Sequence, residues 1–535
     1  MLSSGSSNQL DLMNSLWAMS VMTTSHGRSS NYSYSSSIIE AAAAVEGRKD
    51  LDLPLPSPPP LPLTSIFERD IIRLSPLFTA VTLATVYYSL SKLGHTYRSP
   101  LHHHHHHHHH HHAVSRCLET RFIAPDMQPR GSEMAGIIYS LGRMQCSFYS
   151  SSCDHHHHHH HQLSLAMQSK LIQTTTEVMA DMTEQELGNT VWGLGQMGMH
   201  YSGMPIGLRT SLEDALTRDD MQLRKQALVA ILQALGKGFN ETATTTPWYS
   251  LPMGLRRVMV DNIRRLSPTL RDDASPGLLS VGHSVLVGNI VLALGHLRVS
   301  WRDDEITDLL STHLLPHLLR SNDLSSDPMN DEDEDDDDDD ADEDAADRDR
   351  RRRRYASQSA AAAVNGVARM SSATEWADTP LLVRTFVLDM IHRHVGSMTP
   401  SELSTLMWSL AKLGLKKHHL LSMDTMQQLL LPLTELASRM TGHELVWSIW
   451  SMGRLDLLYV DLSAELQKEL ISSCMESRAI ESMSGEEFGL MLWSLAKVQV
   501  PIDDMPAAMK EALLYGIDNL TGATKQKTAT ASGSG

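Results

Sequence analysis

Seven pairs of residues, each pair seven positions apart, carry the chemistry this chain offers: Thr85/Lys92, Gly136/Arg143, Asn189/Gln196, Asn289/His296, Thr405/Lys412, Glu444/Ser451 and Leu490/Lys497. A separation of seven puts both members on one stripe of an α-helix. Asn and Gln can make two hydrogen bonds to a base edge, and Lys and Arg can reach phosphates or guanine acceptors. The stripe changes from pair to pair. A scaffold needs no such variation, whereas a reader of successive nucleotides meets a different base edge at each unit. The competing reading is a solvated helix face. The candidate RNA-contacting residues are Thr85, Lys92, Arg143, Asn189, Gln196, Asn289, His296, Thr405, Lys412 and Lys497.

The pairs belong to a repeated motif: VYYSLSKLG (86–94), IIYSLGRMQ (137–145), TVWGLGQMG (190–198), LMWSLAKLG (406–414), LVWSIWSMG (445–453) and LMLWSLAKV (490–498). Aligned on the aromatic residue, the anchors are Trp17, Tyr88, Tyr139, Trp192, Trp408, Trp447 and Trp493, and two weaker copies have Ala230 and Leu292 there. Each stripe pair lies three before and four after its anchor. Gaps of 38 (192 to 230) and 39 (408 to 447) set a unit of roughly 38 residues. The longer gaps after Tyr88 and Tyr139 contain the His tracts 102–112 and 155–161, so insertions explain most of the irregularity. A fixed period of this size marks a stacked-repeat architecture.

Each unit reads as a helix A and a helix B. In the Trp408 unit, Thr399-Pro400-Ser401-Glu402 is a start signal, with a candidate N-cap, a proline and an acid in the first turn. Gly414 suits the stop of helix A. Helix B is expected at 423–440 and the next unit opens at Thr441; other B helices are expected at 163–180, 208–217, 252–266, 303–319, 380–395, 462–478 and 504–518. Leu403, Leu406, Leu410 and Leu413 share one face of helix A and form core. The positions one and three after the anchor are mostly small, such as Gly193 and Gly195 or Ser409 and Ala411, which lets neighbouring helices approach closely. The anchor itself is expected to pack between successive A helices. With no strand alternation, the expected fold is all-α: a right-handed α-α superhelix, or solenoid, interrupted by disordered low-complexity insertions. No helix pair can bury its own apolar face, so each copy completes the core of the one before.

At 535 residues the chain exceeds one compact domain, and 41% apolar residues allow a large core. The expected organisation is a mostly disordered region 1–62 with one stray repeat-like helix, repeats over 63–320, an acidic and Arg-rich disordered linker 321–375, repeats over 376–520, and a tail 521–535. The net charge is −18; residues 331–354 hold 15 acids and 6 Arg, which leaves −9 for the rest. A mildly acidic folded part counts against simple charge-driven nucleic-acid binding. Four cysteines are too few for a disulfide framework in a chain this long, which points to a reducing compartment. No apolar run reaches membrane-spanning length, and the N-terminus lacks a signal-peptide core.

The motif resembles the octotricopeptide repeat of algal proteins and the related helical-repeat part of the FAST-kinase-like proteins of mitochondria. The copies that carry the likeness are LMWSLAKLG, LVWSIWSMG, LMLWSLAKV, VYYSLSKLG and TVWGLGQMG. The resemblance implies an organellar RNA-binding protein, in mitochondrion or chloroplast, that acts in the processing, stability, splicing or translation of transcripts. It implies single-stranded RNA on the concave surface of the A helices, with other organellar RNA-processing proteins as partners. Many relatives end in a small RAP domain; none is recognisable here, so a non-enzymatic role is expected.

Other features yield less. The His tracts and Cys146, Cys153, Asp154 and His155 invite a metal reading, but homopolymers supply no ligand spacing, so no metal or other cofactor is expected. Both tracts fall where the loop between helices A and B should lie. The acid run and Arg350–Arg354 read as a solvated linker. Residues 356–370, ASQSAAAAVNGVARM, read equally as a degenerate helix A or a loose helical linker. No phosphate-binding Gly loop, nucleophile elbow or zinc-protease motif is present. The alternative to RNA binding is a protein-interaction scaffold of α-solenoid type.

Overall fold

In a computed structural model, the chain is described over residues 65–93, 109–148, 161–268 (save 219 and 237–246), 278–320 (save 302), 339–370, 376–419, 423–475 and 483–514 (save 484, 508, 512 and 513). Leu12, Met13 and Leu16 are described ahead of these; Leu12 and Leu16 are helical and buried, while the anchor Trp17 lies outside the described residues, as do Cys153, Asp154 and His155. The fold is an all-α solenoid in two compact units, which divide after Leu266.

In the first unit the A helices are α2 (Ala80–Lys92), α4 (Gly131–Arg143), α6 (Glu184–Gln196) and α8 (Lys225–Gly236). The B helices are α1 (Ser65–Leu74), α3 (His109–Ile123), α5 (Leu165–Val178), α7 (Ile206–Thr217) and α9 (Met253–Leu266). Each A helix packs on the next A helix, and each B helix on the next B helix. In the second unit the A helices are α10 (Leu278–His296), α13 (Asp339–Met370), α15 (Pro400–Lys412), α17 (Gly442–Arg454) and α19 (Gly485–Val498), again packed in that order. Between them run α11 (Asp304–Asp308) and α12 (Leu315–Arg320), joined by a π-helical stretch, then α14 (Leu381–His394), α16 (Met423–Leu436) and α18 (Ala464–Met475). The only strand pairing among the described residues is a two-residue parallel bridge, Cys146–Ser147 with His161–Gln162.

The B helices expected at 163–180, 208–217, 252–266, 380–395, 423–440 and 462–478 appear close to those bounds, the one at 303–319 is divided by the π-helical stretch, and the one at 504–518 falls partly outside the described residues; α1 and α3 have no counterpart among the expected helices. Part of the first His tract, His109–His112, is the first turn of α3 and not wholly a loop insertion. The larger correction concerns the expected linker 321–375. Residues 339–370 form one 32-residue helix, and its C-terminal part packs between α10 and α15 as an A helix. Ala360, Ala363, Val364, Val367 and Ala368 are all buried there. Composition hid this module: its core is Ala and Val, without the aromatic anchor and Leu ladder that mark the others.

One junction register recurs between α4 and α6, α6 and α8, α10 and α13, and α15 and α17, whereas between α17 and α19 Gly453 faces the side chain of Lys497 instead. Counting from the anchor, position −4 of one helix meets position −6 of the next, and +3 meets +1. Thus a Cβ on Gly188 would lie 3.0 Å from Ala227, one on Gly195 3.0 Å from Ala234, one on Gly142 3.0 Å from Gly193, and one on Gly288 2.7 Å from Ser359. In α15 the Ser404 hydroxyl at −4 donates to the Glu444 carbonyl at 3.0 Å. Only small side chains allow backbones this close. Serine at +1 is buried, and in four modules its hydroxyl is satisfied by the carbonyl four residues back: Ser140 to Gly136 (2.7 Å), Ser409 to Thr405, Ser451 to Trp447 and Ser494 to Leu490 (each 2.6 Å), whereas the buried hydroxyl of Ser89 has no such bond.

The same register moves two anchors by one helical turn. Helix caps recur nine residues before the anchor at Thr79, Arg130, Thr183 and Thr399. Backbones with φ between 51° and 86° recur six residues after it at Gln145, Gly198, Arg298, Gly414 and Gln499. In α17 the cap is Thr441 and the positive-φ residue is Asp456 (59°), so the anchor is Trp450 and not Trp447. In α8 the Arg224 carbonyl opens the helix, which makes the anchor Gln233 and not Ala230. In α13 the contacts of Ser359 and Gly366 with α10 make Asn365 the anchor. Anchor spacings without a His tract or the acidic insertion are then 41 (192 to 233), 42 (408 to 450), 43 (365 to 408, and 450 to 493) and 59 (233 to 292), all longer than the 38 read from sequence.

Three A helices open with a full capping box, Thr183/Glu186, Thr399/Glu402 and Thr441/Glu444. Thr399→Ala and Thr441→Ala should each cost the second unit about 1 kcal/mol, read as a lower urea midpoint at unchanged m-value.

Candidate nucleic-acid interface

Corrected register changes the stripe. At the position four after the anchor stand Lys92, Arg143, Gln196, His296, Arg369, Lys412, Arg454 and Lys497, with Lys237 falling there in sequence but outside the described residues. Glu444 and Ser451 leave the stripe; Trp447 and Arg454 replace them. Ser451 is instead buried at a junction. Arg369 and Arg454 are the two functional candidates missed in sequence. The distance from Thr399 to Thr441 held the signal for Arg454, since caps mark register better than one of two neighbouring tryptophans.

In the first unit the anchors Tyr88, Tyr139 and Trp192 pack together with Ala230 of α8, and the Tyr139 and Trp192 rings lie 5.0 Å apart. The expected packing of anchors between A helices is thus found there, whereas Trp493 in the second unit is 46% exposed. Several stripe cations lie over these rings: Lys92 over Tyr88 (5.6 Å), Arg143 over Tyr139 (6.0 Å), Arg454 over Trp450 (5.8 Å) and Arg369 over Trp408 (5.1 Å). A cation held over an aromatic face keeps its charge in place with a reduced loss of side-chain freedom on binding.

Sequence-derived candidates divide into three groups. Lys412 and Lys497 are exposed, and Lys92, Arg143, Gln196 and His296 are half-buried on the same offset. The stem of Lys497 lies against the preceding helix, where a Cβ on Gly453 would come 2.9 Å from it. At the −3 offset, Asn189 accepts a hydrogen bond from Gln185 at 3.1 Å, and the Thr85 hydroxyl donates to its own helix at Val81 (2.9 Å). Asn289 and Thr405 are half-buried at that same offset. Thr85, Lys92, Arg143, Asn189 and Gln196 thus occupy the same two offsets on successively packed A helices of the first unit, and Asn289, His296, Thr405, Lys412 and Lys497 do so on A helices of the second.

The described residues include no group of three His, Cys, Asp or Glu able to hold a metal. Cys146 is buried, and burial together with the nearby Glu119 pushes its thiol well above the ordinary range. The Cys474 thiol is pushed up to about 12 by burial alone. Neither offers the thiolate a metal or an electrophile needs. Both should resist iodoacetamide in the native protein at pH 8 and react once urea is added, a contrast that peptide mass spectrometry reads directly. No helix among the described residues is long and apolar enough to cross a membrane.

No protein-family model matches the chain, and no protein of curated function matches its sequence.

Proposed function

We propose that this protein binds single-stranded RNA along the A-helix stripes and acts without chemistry of its own on organelle transcripts, in their processing, stability or translation. The observation that carries the reading is the recurrence of cations at one offset. Lys92, Arg143, Arg369, Lys412, Arg454 and Lys497 all occupy the same place on separate A helices. Stacked helices stand about 8–10 Å apart, so within each unit a row of such cations suits a polymer of regularly spaced phosphates. Net acidity of the folded part does not oppose this, because the acids sit elsewhere than on the stripe. The variable −3 positions next to it are Thr, Asn, Ala, Gly, Trp and Leu, a set able to discriminate bases.

The test is crosslinking in cells with sequencing of the RNA recovered, alongside titration of the purified chain with single- and double-stranded RNA. Preferential binding of single strands supports the reading, and no binding at 50 mM salt overturns it. A second reading, protein docking, has one observation behind it. Leu165, Ile206 and Met253, each first in its B helix, are 76%, 73% and 76% exposed in successive modules of the first unit. Recovery of a protein partner without RNA would favour it.

A further inference from the structure

The module built on α13 has an arrangement that the others lack. Its anchor is Asn365 where other modules carry Tyr, Trp, Leu or Gln. Asn365 is buried, and its Oδ1 accepts a hydrogen bond from Nε of Arg369 at 2.9 Å. Across the junction, the Arg369 guanidinium lies 5.1 Å from the centre of the Trp408 ring. Two restraints from two helices therefore fix one planar cation. Elsewhere on the stripe the ring contact is within one helix: Lys92 lies over Tyr88, and Arg143 lies over Tyr139, whose hydroxyl it meets at 3.5 Å.

A phosphate needs charge at the right distance and little more, which an unrestrained lysine supplies. Fixing the plane of a guanidinium serves a ligand that must be met in a defined plane by parallel N–H donors. Among bases, guanine presents that pattern, with O6 and N7 as paired acceptors. The Trp408 ring provides a stacking surface in the same place.

We infer that Arg369, positioned by Asn365 and Trp408, reads a guanine, so that the α13 module contributes one fixed letter to the RNA sequence this protein prefers. The inference rests on the proposed RNA binding and adds the base identity at one module. Arginine's five N–H donors include the pair that O6 and N7 require. Asn365 acts as a positioning residue, since its bond to Nε sets which edge of the guanidinium faces outward.

Selection from a random 20-nucleotide RNA pool by the full chain, followed by sequencing, tests this. Wild type should enrich a motif with at least one invariant G. Arg369→Lys should flatten that one letter, with at least a fivefold loss of its preference, while the other letters and the salt dependence persist. Asn365→Ala should weaken the same letter with charge unchanged. Circular dichroism and thermal melting confirm that each variant folds, and Lys468→Arg, at an exposed position of α18 away from the stripe, serves as a charge-neutral control that should leave the G intact. A motif whose G survives both Arg369→Lys and Asn365→Ala, or a motif without G, overturns the inference and leaves RNA binding standing. Failure of wild type to enrich any sequence overturns it, while total failure to retain RNA overturns the underlying reading as well.

Discussion

Replacing Lys92, Arg143, Lys412 and Lys497 together by Ala should weaken binding of single-stranded RNA by about a hundredfold or more at 0.1 M salt. Two of the four belong to each compact unit, and all stand at the same offset of their A helices. Each phosphate neutralised on a single strand contributes roughly 0.7 to the slope of log affinity against log salt. Loss of four contacts should make that slope shallower by about 3. The two readouts must move together. A loss of affinity at constant slope would mean that the four act through folding and not through phosphates. Secondary structure should be unchanged, because Lys412 and Lys497 are exposed and surface truncations usually cost under about 0.5 kcal/mol. For Lys92 and Arg143 the contact with an anchor ring adds about 0.5–1 kcal/mol each to that cost.

Gly366→Val should be the most damaging single change in the second unit, at about 3 kcal/mol or more. A Cβ at this position would fall on the Val291 carbonyl, and one on Gly295 would fall on the backbone of Gly366 itself. Both obstacles are main chain, so no rotamer change relieves them and α10 and α13 would have to separate. For a unit of this size the loss corresponds to a melting temperature lower by roughly 6–12 °C. Gly489→Ala provides the opposite sign in the same unit. Nothing lies within 4 Å of the Cβ it would add, and it sits inside α19. Replacing Gly by Ala inside a helix gains about 0.5–1 kcal/mol, so this variant should melt higher than wild type.

Much of this architecture is legible in the sequence, for reasons that also explain what is not. Leu403, Leu406, Leu410 and Leu413 repeat at helical spacing and are all fully buried, so the core face needed no structure to find. The cap Thr399 with Glu402 reads directly, because its chemistry is local. Register was harder. Residues three apart lie on nearly the same face of a helix, so Trp447 and Trp450 satisfy the same apolar pattern and only the cap and the positive-φ stop tell them apart. Ala230 misleads for the same reason: Gln233, the true anchor, is one turn away and polar. The α13 module was the least visible. Alanine is a strong helix former but carries no signature of burial, and the run of acids before it resembles a disordered tract. What joins it to its neighbours is close backbone approach at Gly366, which a sequence displays only as one more glycine.

The recurrence of one junction register bears on how such an array changes length. Where −4 meets −6 and +3 meets +1, as between α6 and α8 and between α10 and α13, one A helix presents to its successor the surface that another presents to its own. Excision of residues 399–440, one cap to the next, would set α17 directly upon α13, with Gly453 and Ser451 keeping their offsets. If the proposed RNA binding holds, the shortened chain should select a motif one nucleotide shorter, with the remaining letters in their original order. Gain or loss of a whole module would then change such a motif by a single character while the neighbouring junctions keep their register.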